Sequence, residues 1–161
     1  MLRKILYGLG IVLLILQFIR PPKNNSGDNT SHVSTRYAVS PEVNRLLETA
    51  CNDCHSNSTV YPWYSNIQPV GWWLYQHVRE GKKHLNFSDF TRRRVAIQNH
   101  KFEEVIEMVK EKEMPLASYT WIHRNAVLDD AQRQLLVQWA QSNMDTLRAH
   151  YPADSLVLRR K

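Results

Sequence analysis

Residues 40–55 read SPEVNRLLETACNDCH, and the rest of the chain is best understood outward from them. Ser40 is a suitable N-cap, Pro41 fits the first helical position, and Glu42 places an acid in the first turn. Val43, Leu46, Leu47 and Ala50 follow at i, i+3, i+4 and i+7, which is one apolar helical stripe. The helix therefore leads directly into Cys51-Asn52-Asp53-Cys54-His55. These are the chain's only two cysteines, three residues apart, so no disulfide framework can staple the fold.

The C-x-x-C-H pattern is the signature of c-type haem attachment, and its spacing has a mechanical reason. Residues three and four apart share a helix face, so both sulfurs can reach one edge of a porphyrin. The adjacent His55 is then carried beneath the iron as proximal ligand. The expected cofactor is one covalent haem c per chain. Three rival readings are weaker. A thioredoxin-like pair needs a βαβ setting, and no strand pattern is present. A structural zinc site needs four ligands, and neither His77 nor His84 completes a standard spacing. A structural disulfide within C-x-x-C would close a tiny loop with little entropic gain.

A sixth iron ligand would come from a methionine or a second histidine. Met108 and Met144 lie in amphipathic patterns, where a thioether is core filling. Met114 lies after a helix and just before Pro115, ahead of the terminal helix, which makes it the leading candidate; His77 and His84 are the alternatives. Met/His ligation would raise the reduction potential relative to bis-histidine. Trp63, Trp72 and Trp73 are candidates for cofactor contact, because aromatic rings bury large areas against a flat ligand. Ordinary core packing competes with that role at each of them.

Further helices are expected from Val70 to about Glu80 with Gly81 as stop, and from Ser88 to Lys112 with a break near Asn99. A last helix opens at Asp129 with Gln132 as capping partner, burying Leu135, Leu136, Trp139 and Met144. The fold class is all-α: a bundle of about four helices preceded by an N-terminal hydrophobic helix. At 161 residues the chain fits one domain, and a formal charge of +6 with 43% apolar residues excludes both an acidic disordered chain and a polytopic membrane protein. Five glycines and no GxGxxG or GxxxxGK[ST] exclude a phosphate-cradling loop.

Arg3 and Lys4 precede an apolar run from Ile5 to Ile19 that ends at Arg20-Pro21-Pro22-Lys23. A positive start followed by a short apolar stretch resembles an export signal, and no small-x-small cleavage site follows it. Residues 1–22 are thus expected to be a signal anchor or signal peptide, and 23–39 a flexible linker rich in Ser, Asn and Thr. Residues 40–150 form the functional domain and 151–161 a basic tail ending in Arg159-Arg160-Lys161.

The motif with Ser56-Asn57, Tyr61-Pro62-Trp63-Tyr64, Pro69-Val70-Gly71-Trp72-Trp73, His77, Gly81 and Leu85-Asn86-Phe87-Ser88 resembles the small bacterial haem-binding domain family with a single C-x-x-C-H. Glu113-Met114-Pro115-Leu116, Tyr119, His123 and Trp139-Ala140 extend the resemblance over about residues 40–145. It implies a cytochrome c-like helical fold, thioether bonds at Cys51 and Cys54, and His55 on the iron. The expected function is a membrane-tethered periplasmic electron carrier with an unidentified redox partner protein and no nucleic acid. Lys82-Lys83 and Arg92-Arg93-Arg94 could steer an acidic partner. The alternative is a haem-based small-ligand sensor or peroxidase-like enzyme with an open distal site.

Overall fold

The computed structural model describes residues 1–158, so the basic terminus Arg159-Arg160-Lys161 lies outside the described residues. Seven α-helices follow in order: α1 (Leu2–Leu16), α2 (Pro41–Ala50), α3 (Asn52–His55), α4 (Val70–His84), α5 (Val95–Lys110), α6 (Ala117–Thr120) and α7 (Asp130–His150). Short 3-10 turns join them, and no strand occurs among the described residues. The molecule is an all-α bundle.

Two helix starts obey their sequence signals closely. Ser40 Oγ accepts from the Val43 N–H at 3.2 Å, and α2 buries Val43, Leu46, Leu47 and Ala50 as its stripe requires. At α7, Asp129 Oδ1 accepts from the Gln132 N–H at 2.8 Å while Gln132 Oε1 accepts from the Asp129 N–H at 2.9 Å. That reciprocal capping box satisfies two otherwise orphaned groups.

The core lies where α5 and α7 pack together, with α2 against α7. Phe102 sits at its centre with no exposure, 4.9 Å from the Tyr37 ring and 5.5 Å from the Trp139 ring, both edge-on. Edge-to-face pairs of this kind add about 0.5–1.5 kcal/mol each beyond the area they bury.

Four expectations need correction. Gly81 does not stop α4, which continues to His84; its missing side chain serves close packing instead, as described below. No break falls at Asn99, because α5 is continuous, and the interruption lies at residues 90–94. Its C-terminal stop is Lys112 in the left-handed region (φ +62°), ahead of Met114-Pro115. Residues 23–39 are no free linker: Val33 and Tyr37 are buried core residues, and the Asn24 amide donates to Ser56 O and Thr59 Oγ1. The tail also contributes, since Leu156 is buried in the same core.

The hydrophobic helix α1 exists as expected, with none of its residues buried. No helix among the described residues is long and apolar enough to cross a membrane.

Candidate functional site

The chain turns sharply at Cys51 between α2 and α3, and Cys51 O accepts from the N–H groups of both Cys54 and His55, at 3.1 and 3.0 Å. One turn of backbone thus presents two thiols and an imidazole. A four-residue helix is too short to be stable alone, so its position depends on packing against α4. Gly81 makes that approach possible: a Cβ there would lie 2.7 Å from Cys54 O and 3.0 Å from Cys54 Cβ.

The same junction orients the imidazole. His55 Nδ1 lies 3.0 Å from Gly81 O and 3.0 Å from Leu85 O. Carbonyl oxygens only accept, so Nδ1 carries the proton and Nε2 keeps a free lone pair. Burial pushes the His55 pKa down, outweighing the upward pull of the two carbonyls, so the ring stays neutral. A neutral imidazole whose other nitrogen donates to a carbonyl is the arrangement metal-binding histidines adopt.

Asp53, between the cysteines, ties this turn to α6. Its Oδ1 accepts from the Val60 N–H at 2.9 Å and its Oδ2 accepts from Tyr119 OH at 2.7 Å. Burial and this acceptor hold the Tyr119 phenol in its protonated form. The Tyr119 ring stacks on His123 with centroids 4.2 Å apart.

Met114 is fixed from two sides. The N–H groups of Glu113 and Met114 both donate to Met108 O, at 3.0 and 3.2 Å. From α7, Arg133 Nη1 reaches Val109 O and Met114 O, each at 3.3 Å. The loop is clamped.

Cys51, Cys54, His55 and Met114 all line one cavity of about 630 Å³. Its volume falls within the range of roughly 300–1,000 Å³ common for small-molecule and cofactor sites. Leu47, Ala50, Phe87, Val105, Val109 and Leu136 supply an apolar wall. His77 and His84, the alternative distal candidates, line it as well.

The three tryptophans do not line it. Trp63 is 76% exposed; Trp73 is 44% exposed and rests against His77 at 4.1 Å; Trp72 Nε1 donates to Ile19 O at 2.8 Å. Trp72 thus clamps the segment following α1 and not the cavity. Conversely, Met108, read as core filling, lines the cavity, whereas Met144 is buried in the core as expected. Nothing local in the sequence announces the bond from Tyr119 to Asp53.

Both cysteines are free thiols, and burial pushes their pKa values up, to about 12 for Cys51 and about 11 for Cys54. Burial thus favours the neutral S–H form of both cysteines. Among the described residues, no three His, Cys, Asp or Glu side chains are grouped to hold a metal ion. The basic runs are partly neutralised in place: Lys83 pairs with Glu80 and both Arg92 and Arg93 with Asp89.

A family model described as haem-binding domain matches residues 11–142. The chain belongs to the haem-binding domain family. No curated protein and no solved structure matches it. The match makes this a haem-binding protein, and the cavity accords with it. An apolar-walled space within the cofactor size range and an imidazole with a free Nε2 suit a haem. The haem-binding domain also spans residues 23–39, consistent with the packing of Val33 and Tyr37 into its core.

Proposed function

We propose that this is a c-type electron carrier, with haem bound through thioethers to Cys51 and Cys54, His55 Nε2 on the iron, and Met114 as sixth ligand. The observation that carries it is the double restraint of His55 Nδ1 by Gly81 O and Leu85 O, which leaves Nε2 as the ring's only donor atom. Each thiol would add across one vinyl group, its hydrogen passing to the vinyl carbon, so attachment consumes no oxidant. Haem supplies a one-electron couple; the protein's part is to hold the ligands still. Arg133 does so for the Met114 loop, and Gly81 with Leu85 for His55. Ligands that stay in place in both oxidation states suit fast transfer during brief encounters with a redox partner through a small interface.

The compartment reading rests on Arg3, Lys4 and the apolar α1 that follows: the domain is exported and tethered to the outer face of the cytoplasmic membrane, in a periplasm. A second reading, a small-ligand sensor or peroxidase-like enzyme, is favoured by one observation. His77 and His84 line the cavity and could serve an open distal position. Spectra separate the two. The carrier gives a low-spin ferric form with a thioether ligand and resists carbon monoxide when ferrous; rapid carbon monoxide binding by the native ferrous protein overturns it. Met114→Ala should lower the midpoint potential and admit exogenous ligands, and an unchanged spectrum removes Met114 from the site.

A further inference from the structure

At the foot of α1 lies a second and much smaller cavity of about 30 Å³, which shares no lining residue with the first. It is lined by Arg20, Lys23, Tyr61, Ser65, Gln68 and Tyr75 among others, and no carboxylate lines it. Ser65 Oγ and Gln68 Nε2 are buried there without any hydrogen-bond partner. The two residues are 8% and 3% exposed, so neither group reaches bulk water. Tyr61 OH accepts from the Asn24 N–H at 2.9 Å, which leaves its own proton to donate. Buried orphan donors are costly unless something accepts from them. A site with donors, two cations and no acid asks for an anion with several acceptor oxygens.

The surroundings say where that anion comes from. Gln17, at the end of α1, bonds the Gln68 backbone in both directions, at 2.9 and 3.2 Å, and Trp72 Nε1 holds Ile19 O. The helix end is thus bound to the domain at this cavity. Exposed apolar residues flank these contacts: Phe18, Ile19, Trp63, Ile67, Val70 and Trp73. The 15 residues of α1 span only about 22 Å, against roughly 30 Å for a bilayer's hydrocarbon core. Interfacial segments bury their apolar faces roughly 5–10 Å deep, which covers the shortfall. Tryptophan is favoured at that depth.

We propose that this foot is a membrane seat whose small cavity takes one phosphate oxygen of an anionic phospholipid headgroup, with Arg20 and Lys23 on the remaining oxygens. It rests on the membrane tether proposed above. Ser65, Gln68 and Tyr61 donate to the inserted oxygen, and Trp63 and Trp73 lie among the acyl-chain ends nearest the headgroups. The seat would fix the distance of the haem cavity from the membrane surface, confining the carrier to partners in the same plane.

The full chain with its haem is mixed with vesicles of phosphatidylcholine alone or containing phosphatidylglycerol. Flotation with both kinds reports the tether. Backbone hydrogen exchange over residues 61–73 reports the seat. The expected result is slower exchange with phosphatidylglycerol than with phosphatidylcholine, and loss of that difference in the Arg20→Gln, Lys23→Gln double variant, which still floats. Equal exchange with both lipids overturns the seat while leaving the tether standing. Protection by inorganic phosphate without vesicles to the same extent overturns the lipid source. Failure to float with either overturns the tether and the seat together.

Discussion

The two sides of the large cavity are built on different principles. On one side, α5 and α7 bury Phe102, Val109, Leu136, Trp139, Ala140, Met144 and Leu147 against Tyr37, Phe87 and Phe90. On the other, α3 and α6 bury no residue at all, and α4 buries only Gly71 and Val78. The first side is held by its own apolar contacts. The second is held by polar links, such as Tyr119 to Asp53 and His55 to Gly81, around a space of about 630 Å³. A side with so little buried apolar area depends on its ligand for order, since binding stabilises whatever state it selects.

The largest expected effect separates the sides outright. In haem-free protein, the amides of α3 and α6 should exchange about a thousandfold faster than those of α5 and α7, a gap of roughly 4 kcal/mol. Uniform exchange across all four helices would erase the distinction. Next is Phe102→Ala, which empties the centre of the apolar side. It should cost about 3–5 kcal/mol in denaturant unfolding, whether or not haem is bound.

Gly81→Ala tests the polar side's closest contact. The new Cβ would meet Cys54 backbone at 2.7 Å, so α3 must move, at a cost of about 1–3 kcal/mol. The same variant should disturb the haem spectrum, because His55 bonds the Gly81 carbonyl; an unaltered spectrum would show that α3 is not seated as described. Tyr119→Phe removes one donor from Asp53 and should cost about 1 kcal/mol in haem-loaded protein, with the loss confined to α3 and α6 in exchange measurements. Asp129→Ala removes the cap of α7 at a similar cost of about 1 kcal/mol, and that loss should register on the apolar side alone.

The same division explains what could be read from the sequence. Short-range signals were legible: the Ser40 and Asp129 caps, the α2 stripe, and C-x-x-C-H with its neighbouring histidine all act within a few residues. Signals with two meanings misled. Gly81 carries the same letter whether it ends a helix or admits a neighbour, and only the position of Cys54 distinguishes them. Met108 has helical apolar spacing whether its face meets a core or a cavity. Trp63, Trp72 and Trp73 announce large apolar area without saying which surface it covers. Residues 23–39 hid two core anchors, Val33 and Tyr37, within a polar stretch, because the ring that fixes Tyr37 belongs to Phe102 on α5, far along the chain.

Covalent attachment at Cys51 and Cys54 is the claim on which the carrier depends, and intact mass spectrometry of protein matured by a c-type assembly system tests it directly. Under denaturing, acidic conditions the chain should weigh the polypeptide plus one haem, and the Cys51→Ala, Cys54→Ala variant should weigh the polypeptide alone. A mature chain that sheds its haem under those conditions, or never acquires one, would contradict it.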